Sequence, residues 1–402
     1  MLDDRTGGEL LVVTICRPFF LQALVIAVIA CFWLPPAPAC QICFPIPKNS
    51  TADFLLSADR VVLARENPDK PFSLMTVEVL KGSEDGPEID LFLDSGTRRL
   101  LKACPERHVV CVYRASSPDA PWLRVGVTND IFAPIVREIL DQSSLWETKP
   151  KERLAYFSQF LGHEDSQLSS LAHIEVARAP YHEIRGLGNI LPRKELHAFL
   201  GNFRMIEWHP LYLLLLGQSE DEQDHEIIVG KVRSAEKFAT STQLASLATA
   251  WIEIEQGVAL DFFEANYLSQ PDRSEKEMRA LLMALSVHGT NGHVHLRDRI
   301  VDCYRMVLSS HPSLALQIVT DLNTWKRQDL VPEVAAILAS SPPSLELSAI
   351  AQLRSYLRAS DEPEPEITPK GFNSGLVTLL VLLALIPIGL AVSKKIRGGG
   401  SR

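Results

Sequence analysis

Leu376 to Val392 is an apolar run that contains no charge and only one hydroxyl, Thr378. With Gly371 to Gly375 leading in and Ser393 following, the uncharged stretch is roughly twenty residues. At ~1.5 Å per residue in a helix, that crosses a ~30 Å hydrocarbon layer. A buried helix of a soluble core would normally carry polar residues on one face. Pro387 and Gly389 weaken a soluble helix but are common in membrane spans. Lys394, Lys395, Arg397 and Arg402 follow the run, and Asp361, Glu362, Glu364 and Glu366 precede it. Basic residues stay on the cytoplasmic side, which predicts a single-pass type I protein with the bulk of the chain extracytoplasmic.

The other end agrees. Phe19 to Leu34 is an apolar segment preceded by Arg17, and Ala37-Pro38-Ala39 has the A-x-A form of a signal-peptidase site. Residues 1–39 are therefore expected to be a signal peptide, with Cys40 first in the mature chain. Asp3, Asp4 and Glu9 make the segment before it unusually acidic. Lipidation of Cys40 and an uncleaved second anchor are the alternatives. The net charge of −9 argues against a nucleic-acid partner, which would meet a basic face.

Between the two signals the sequence changes its grammar. In residues 40–133, short runs rich in β-branched and aromatic residues alternate with turn clusters. The runs are Ala58 to Arg65, Phe72 to Leu80, Glu88 to Leu93, His108 to Tyr113 and Trp122 to Val127. Five short strands predict a small all-β barrel or sandwich. In residues 134–360 apolar residues recur at three and four, with Gly217, Gly257, Gly289 and Pro312 as breaks. Helical pairs recur at about 35 residues, as in stacked hairpins, and the alternative is an irregular helical domain. Residues 361–374 begin as an acidic, proline-rich spacer, 375–393 are the expected span, and 394–402 a basic cytoplasmic tail. The fold class expected is a small β barrel, then an all-α array, then one transmembrane helix.

Cys40, Cys43, Cys104 and Cys111 all fall in the strand region. An exported small domain with four cysteines points to two disulfides, and three pairings are open. Bridges between the two ends of the region would close loops of about 60 residues, worth ~4 kcal/mol each in the chain-entropy treatment. Cys40-x-x-Cys43 could also be a redox pair or half a metal site. Cys303 reads as a buried free thiol.

The opening Cys40-Gln41-Ile42-Cys43, the segment Ala58 to Arg65 (ADRVVLAR) and the strand ending Val77-Glu78-Val79-Leu80-Lys81-Gly82 resemble the netrin-like modules, which include the tissue inhibitors of metalloproteinases. The resemblance covers about a quarter of the chain and implies an OB-fold barrel. It also implies that a free Cys40 would chelate the zinc of a target protease. The inhibitors open C-x-C rather than C-x-x-C, and their later cysteines are spaced more widely than Cys104 and Cys111. The helical region loosely resembles HEAT-type repeats.

Local signatures of chemistry are few. There is no G-x-S-x-G, phosphate loop, G-x-G-x-x-G or H-E-x-x-H, and no cofactor is expected. His288, His293 and His295 cluster around Gly289-Thr290-Asn291-Gly292 and read as an exposed turn rather than a metal site. His163 and His225 read as polar residues at turns and helix starts. Pro363-Glu364-Pro365 resembles the PEP-type sorting tails of exported bacterial proteins, but it reads as a plain spacer before a permanent anchor, with a clipped sorting tail as the alternative. The expectation is a non-enzymatic protein-interaction or scaffold module with an unidentified protein partner. A protease inhibitor or an enzyme of another class are the alternatives.

Overall fold

The structure, a computed structural model, describes residues 47–117, 119–340 and 346–361. Residues 1–39, Cys40, Cys43, the spacer beyond Asp361, the Leu376–Val392 run and the basic tail lie outside the described residues. No helix among the described residues is long and apolar enough to cross a membrane.

The chain enters through α1 (Thr51–Ser57). Ser50 caps it, and a reciprocal bond from Asp53 completes a capping box. Four strands follow: β1 (Arg60–Glu66), β2 (Leu74–Lys81), β3 (Val109–Tyr113) and β4 (Trp122–Val127). They form one antiparallel sheet in the order β2-β1-β3-β4. The expected fifth strand does not form. Glu88 to Leu93 contributes a single bridge, Ser73 to Phe92, because Ile89 and Leu93 turn inward to fill the core beneath the sheet. Among the described residues β2 and β4 are therefore free edges, and the sheet is open where a five-stranded barrel was expected. Between β2 and β3 lies α2 (Ser95–Ala103), capped by the Asp94 carboxylate.

Gly82 ends β2 with φ +93°, and a Cβ there would stand 2.6 Å from the Asp59 carbonyl. Glycine is what lets the chain leave the sheet at that point.

Both faces of the central strands are covered, which explains their nearly unbroken apolar sequence. Val62 and Ala64 of β1 pack with Val109 and Cys111 of β3 against Leu101 of α2. Val61, Leu63, Val110 and Val112 face the other way. They meet Ala52 and Leu55 of α1, and helices α3 (Phe132–Asp141), α4 (Ser143–Thr148), α5 (Pro150–Ser158) and α6 (Ser166–Ala177). Phe132, Ile135, Trp146, Phe157 and Leu171 belong to this same cluster. One apolar core thus runs through position 133. Each fully buried Leu or Phe in it stabilises the fold by about 2 kcal/mol relative to exposure.

The rest is helical: α7 (Tyr181–Ile184), α8 (Arg193–Gly201), α9 (His209–Leu216), α10 (Glu222–Lys237), α11 (Leu244–Glu255), α12 (Gly257–Phe263), α13 (Glu275–Thr290), α14 (Arg297–Ser310), α15 (Ala315–Trp325), α16 (Val331–Ser340) and α17 (Leu347–Asp361). Alternate helices pack in succession, α9 on α11, α11 on α13, α13 on α15 and α15 on α17. Hydrogen bonds between them join residues 35 to 39 apart, as in Ser286 to Asp321, Thr290 to Trp325 and Thr249 to His288. The approach is close where glycine allows it. A Cβ on Gly289 would fall 2.3 Å from the Trp325 ring.

Candidate functional site

Because α11 and α13 lie side by side, their last turns come together. Glu253 sits near the end of one and His288 near the end of the other. The chain then reverses tightly, with the Asn291 and Gly292 amides both donating to the Val287 carbonyl at 2.8 and 3.0 Å. That reversal folds His293 back over the junction. Its ring stacks on His288 at 5.3 Å between centroids and 9° between planes.

His288 is fully buried. Its Nε2 lies 2.9 Å from the Thr249 carbonyl oxygen, so Nε2 carries the proton and donates. Its Nδ1 has no hydrogen-bond partner among the described residues. Burial pushes the imidazole down to about 3, and the neighbouring His293 and Arg185 add to the effect against the Thr249 bond. The ring is therefore neutral at physiological pH, with an unused lone pair on Nδ1. His293 Nε2 stands 3.4 Å from Glu253 Oε1. Two donor residues orient the Glu253 carboxylate. Arg185 donates through Nε and Nη2 to Oε1 at 2.9 and 2.7 Å, and Tyr181 donates to Oε2 at 2.9 Å. One ligand atom each from Glu253, His288 and His293 lies within 4.8 Å of the others.

This corrects the reading of His288, His293 and His295 as an exposed turn. Only His295 is exposed, bonded to Gln256 Oε1 at 3.0 Å. Glu253 was missed, since it lies 35 residues before His288 and nothing in the local sequence marks it.

A second polar cluster lies where the sheet end meets the helices. Arg153 bridges Asp53 and Glu175, Arg178 bonds Asp53, and the Ser50 hydroxyl donates to Glu175. Burial would raise the Asp53 carboxyl, but the Ser50 amide and the two guanidinium groups outweigh it and hold it below its usual range. A cleft of about 540 Å³ opens beside it, lined by Asp53, Ser57, Trp146, Arg153 and Arg178. Asp53, Arg153, Glu175 and Arg178 are mutually paired, so the cluster ties α1 to α5 and α6.

A third feature is apolar. On edge strand β2, Met75 and Val77 are 42% and 50% exposed, and Phe92 beside them is 74% exposed. Phe92 stacks on Phe72 at 5.8 Å. A groove of about 410 Å³ runs here, lined by Arg65, Glu66, Met75, Val77, Leu101 and Lys102 among others.

The cysteines divide. Cys104 and Cys111 are thiols not bonded to one another. Cys111 is fully buried on β3, and burial pushes its thiol up to about 12. Cys303 is a fully buried free thiol, 3.4 Å from Glu264 Oε1. His163 Nδ1 accepts from the Asp165 amide at 3.0 Å, and His225 Nε2 pairs with the Ser219 carbonyl at 2.6 Å, so both histidines serve local turns.

Comparison of the chain with protein-family models, with curated proteins and with solved structures gives no match.

Proposed function

We propose that the chain is a membrane-tethered extracytoplasmic interaction module that captures a partner through its sheet edge. The observation that carries this reading is the open β2 edge, with Met75, Val77 and Phe92 facing solvent. An unpaired strand offers a row of backbone donors and acceptors, and natural proteins usually blunt such an edge with charge. Here Met75 and Val77 of the edge stay exposed over a groove that also carries Arg65, Glu66 and Lys102, an arrangement that accepts an added strand with apolar and charged side-chain contacts beside it. The uncharged Leu376–Val392 run and its basic flank support the tether, and Ala37-Pro38-Ala39 supports export.

A photo-crosslinking residue at Val77, in the full chain in its native membranes, tests the reading. A discrete adduct is expected at 77 but not at Ile227 on the helical stack, and Met75→Lys should abolish it. Adducts of equal yield at both positions, or none at 77, would refute it.

A further inference from the structure

We propose that Glu253, His288 and His293 form a binding site for a divalent cation of the zinc type, with two imidazole nitrogens and one carboxylate oxygen as ligands and a fourth position left to water. Four observations support it. The ligand atoms of the three residues already lie within 4.8 Å of one another, and bonds of about 2.0–2.2 Å to a shared ion would draw them closer still. The Nδ1 of His288 is buried without a hydrogen-bond partner among the described residues, which an unliganded fold leaves uncompensated. A cation would give it one.

The outer contacts of His288 and Glu253 match what a metal-binding histidine and carboxylate require. His288 donates its other ring nitrogen to the Thr249 carbonyl, which fixes the tautomer with the lone pair on Nδ1. The Glu253 carboxylate is held in place by Tyr181 and Arg185. Residue 292 is the fourth observation. A Cβ there would stand 2.5 Å from His288 Nδ1, so glycine keeps the space beside that atom clear.

The donor set selects the ion. Two imidazoles and one carboxylate suit zinc and its late first-row neighbours better than calcium or magnesium, which favour oxygen ligands. Arg185 beside the carboxylate places a positive charge near the ion and moderates its affinity. Three protein ligands would leave one coordination position open, unlike a closed structural site.

The test uses the full chain in detergent, stripped with chelator and titrated with zinc against a chelating dye. One zinc per chain is expected. Glu253→Gln and His293→Gln, which keep size and polarity, should each weaken binding at least tenfold, and exposed His295→Gln should leave it unchanged. Zinc should raise the melting temperature of the wild-type chain and not that of the His293→Gln variant. Cobalt(II) should give the visible spectrum of a nitrogen and oxygen site. A strong near-ultraviolet thiolate band would instead place the ion on a cysteine and overturn the proposal. So would zinc stoichiometry unchanged in the Glu253→Gln/His293→Gln double variant, or no zinc bound at micromolar concentration.

Discussion

Two carboxylates of the helical stack, Asp224 on α10 and Asp321 on α15, are both removed from water, yet they sit in opposite electrical settings. Asp224 accepts from Arg193 through Nε and Nη2 at 2.8 and 2.9 Å, from His197 at 2.7 Å and from the Ser219 hydroxyl at 2.6 Å. Burial alone would raise its carboxyl, but these bonds prevail and hold it down at about 2. Asp321 has only hydroxyls, Tyr304 at 2.5 Å and Ser286 at 2.7 Å. There burial prevails and the carboxyl is pushed up to about 6. The lesson is that burial sets the penalty and the charge of the donors sets the outcome. The α8 end of the stack is stabilised by its buried acid, whereas the α15 layer is strained by its own above pH 6.

The largest expected effect comes from breaking the first setting. Asp224→Ala should lower stability by about 3 kcal/mol at pH 7, read by urea unfolding, since it orphans Arg193, His197 and Ser219 together. Because the folded value is depressed below the usual 3.8, this contribution is present above pH 4 and lost as pH falls towards 2. The next effect has the opposite sign. Asp321→Asn should raise stability by about 2 kcal/mol at pH 7.5. The folded value of Asp321 is raised, so its contribution is present below about pH 4 and lost as pH rises through about 6. The variant should flatten that part of the melting-temperature profile, and a profile as steep as wild type between pH 4 and 6 would show that Asp321 is not its source. The smallest effect is Ser286→Ala, which removes one of the two donors to Asp321. It should cost about 1 kcal/mol at pH 7.5 and move the same slope to higher pH.

Much of the architecture was written in local patterns. Short β-branched and aromatic runs bounded by turn clusters located β1, β2, β3 and β4, and three-four spacing broken at Gly217, Gly257, Gly289 and Pro312 located most of the helices. Two short helices inside the strand region were passed over. Their caps, Ser50 with Asp53 and Asp94 before Gly96-Thr97, were visible, but each helix is too short for periodicity to register. Glu88 to Leu93 was misread because inward-facing Ile89 and Leu93 make a loop look like a strand. The candidate metal site was half legible. Three histidines drew notice, but glycine and asparagine around them suggested solvent. Burial there is imposed by α11 and by Tyr181 from α7, and a single sequence carries no mark of which helices will become neighbours.

The apolar core that runs through position 133 also bears on how the molecule can be assembled and divided. Val61, Leu63, Val110 and Val112 have only Ala52 and Leu55 of α1 as cover until Phe132 to Leu171 arrives. A chain threaded outward from its first residue therefore delivers the strands before the helices that shelter them. Until the covering helices emerge, that sticky face is an invitation to chaperones and to other unfinished copies. A genetic cut near residue 133 would make the exposure permanent, so the piece bearing the edge strand travels with its first four covering helices or does not travel soluble at all.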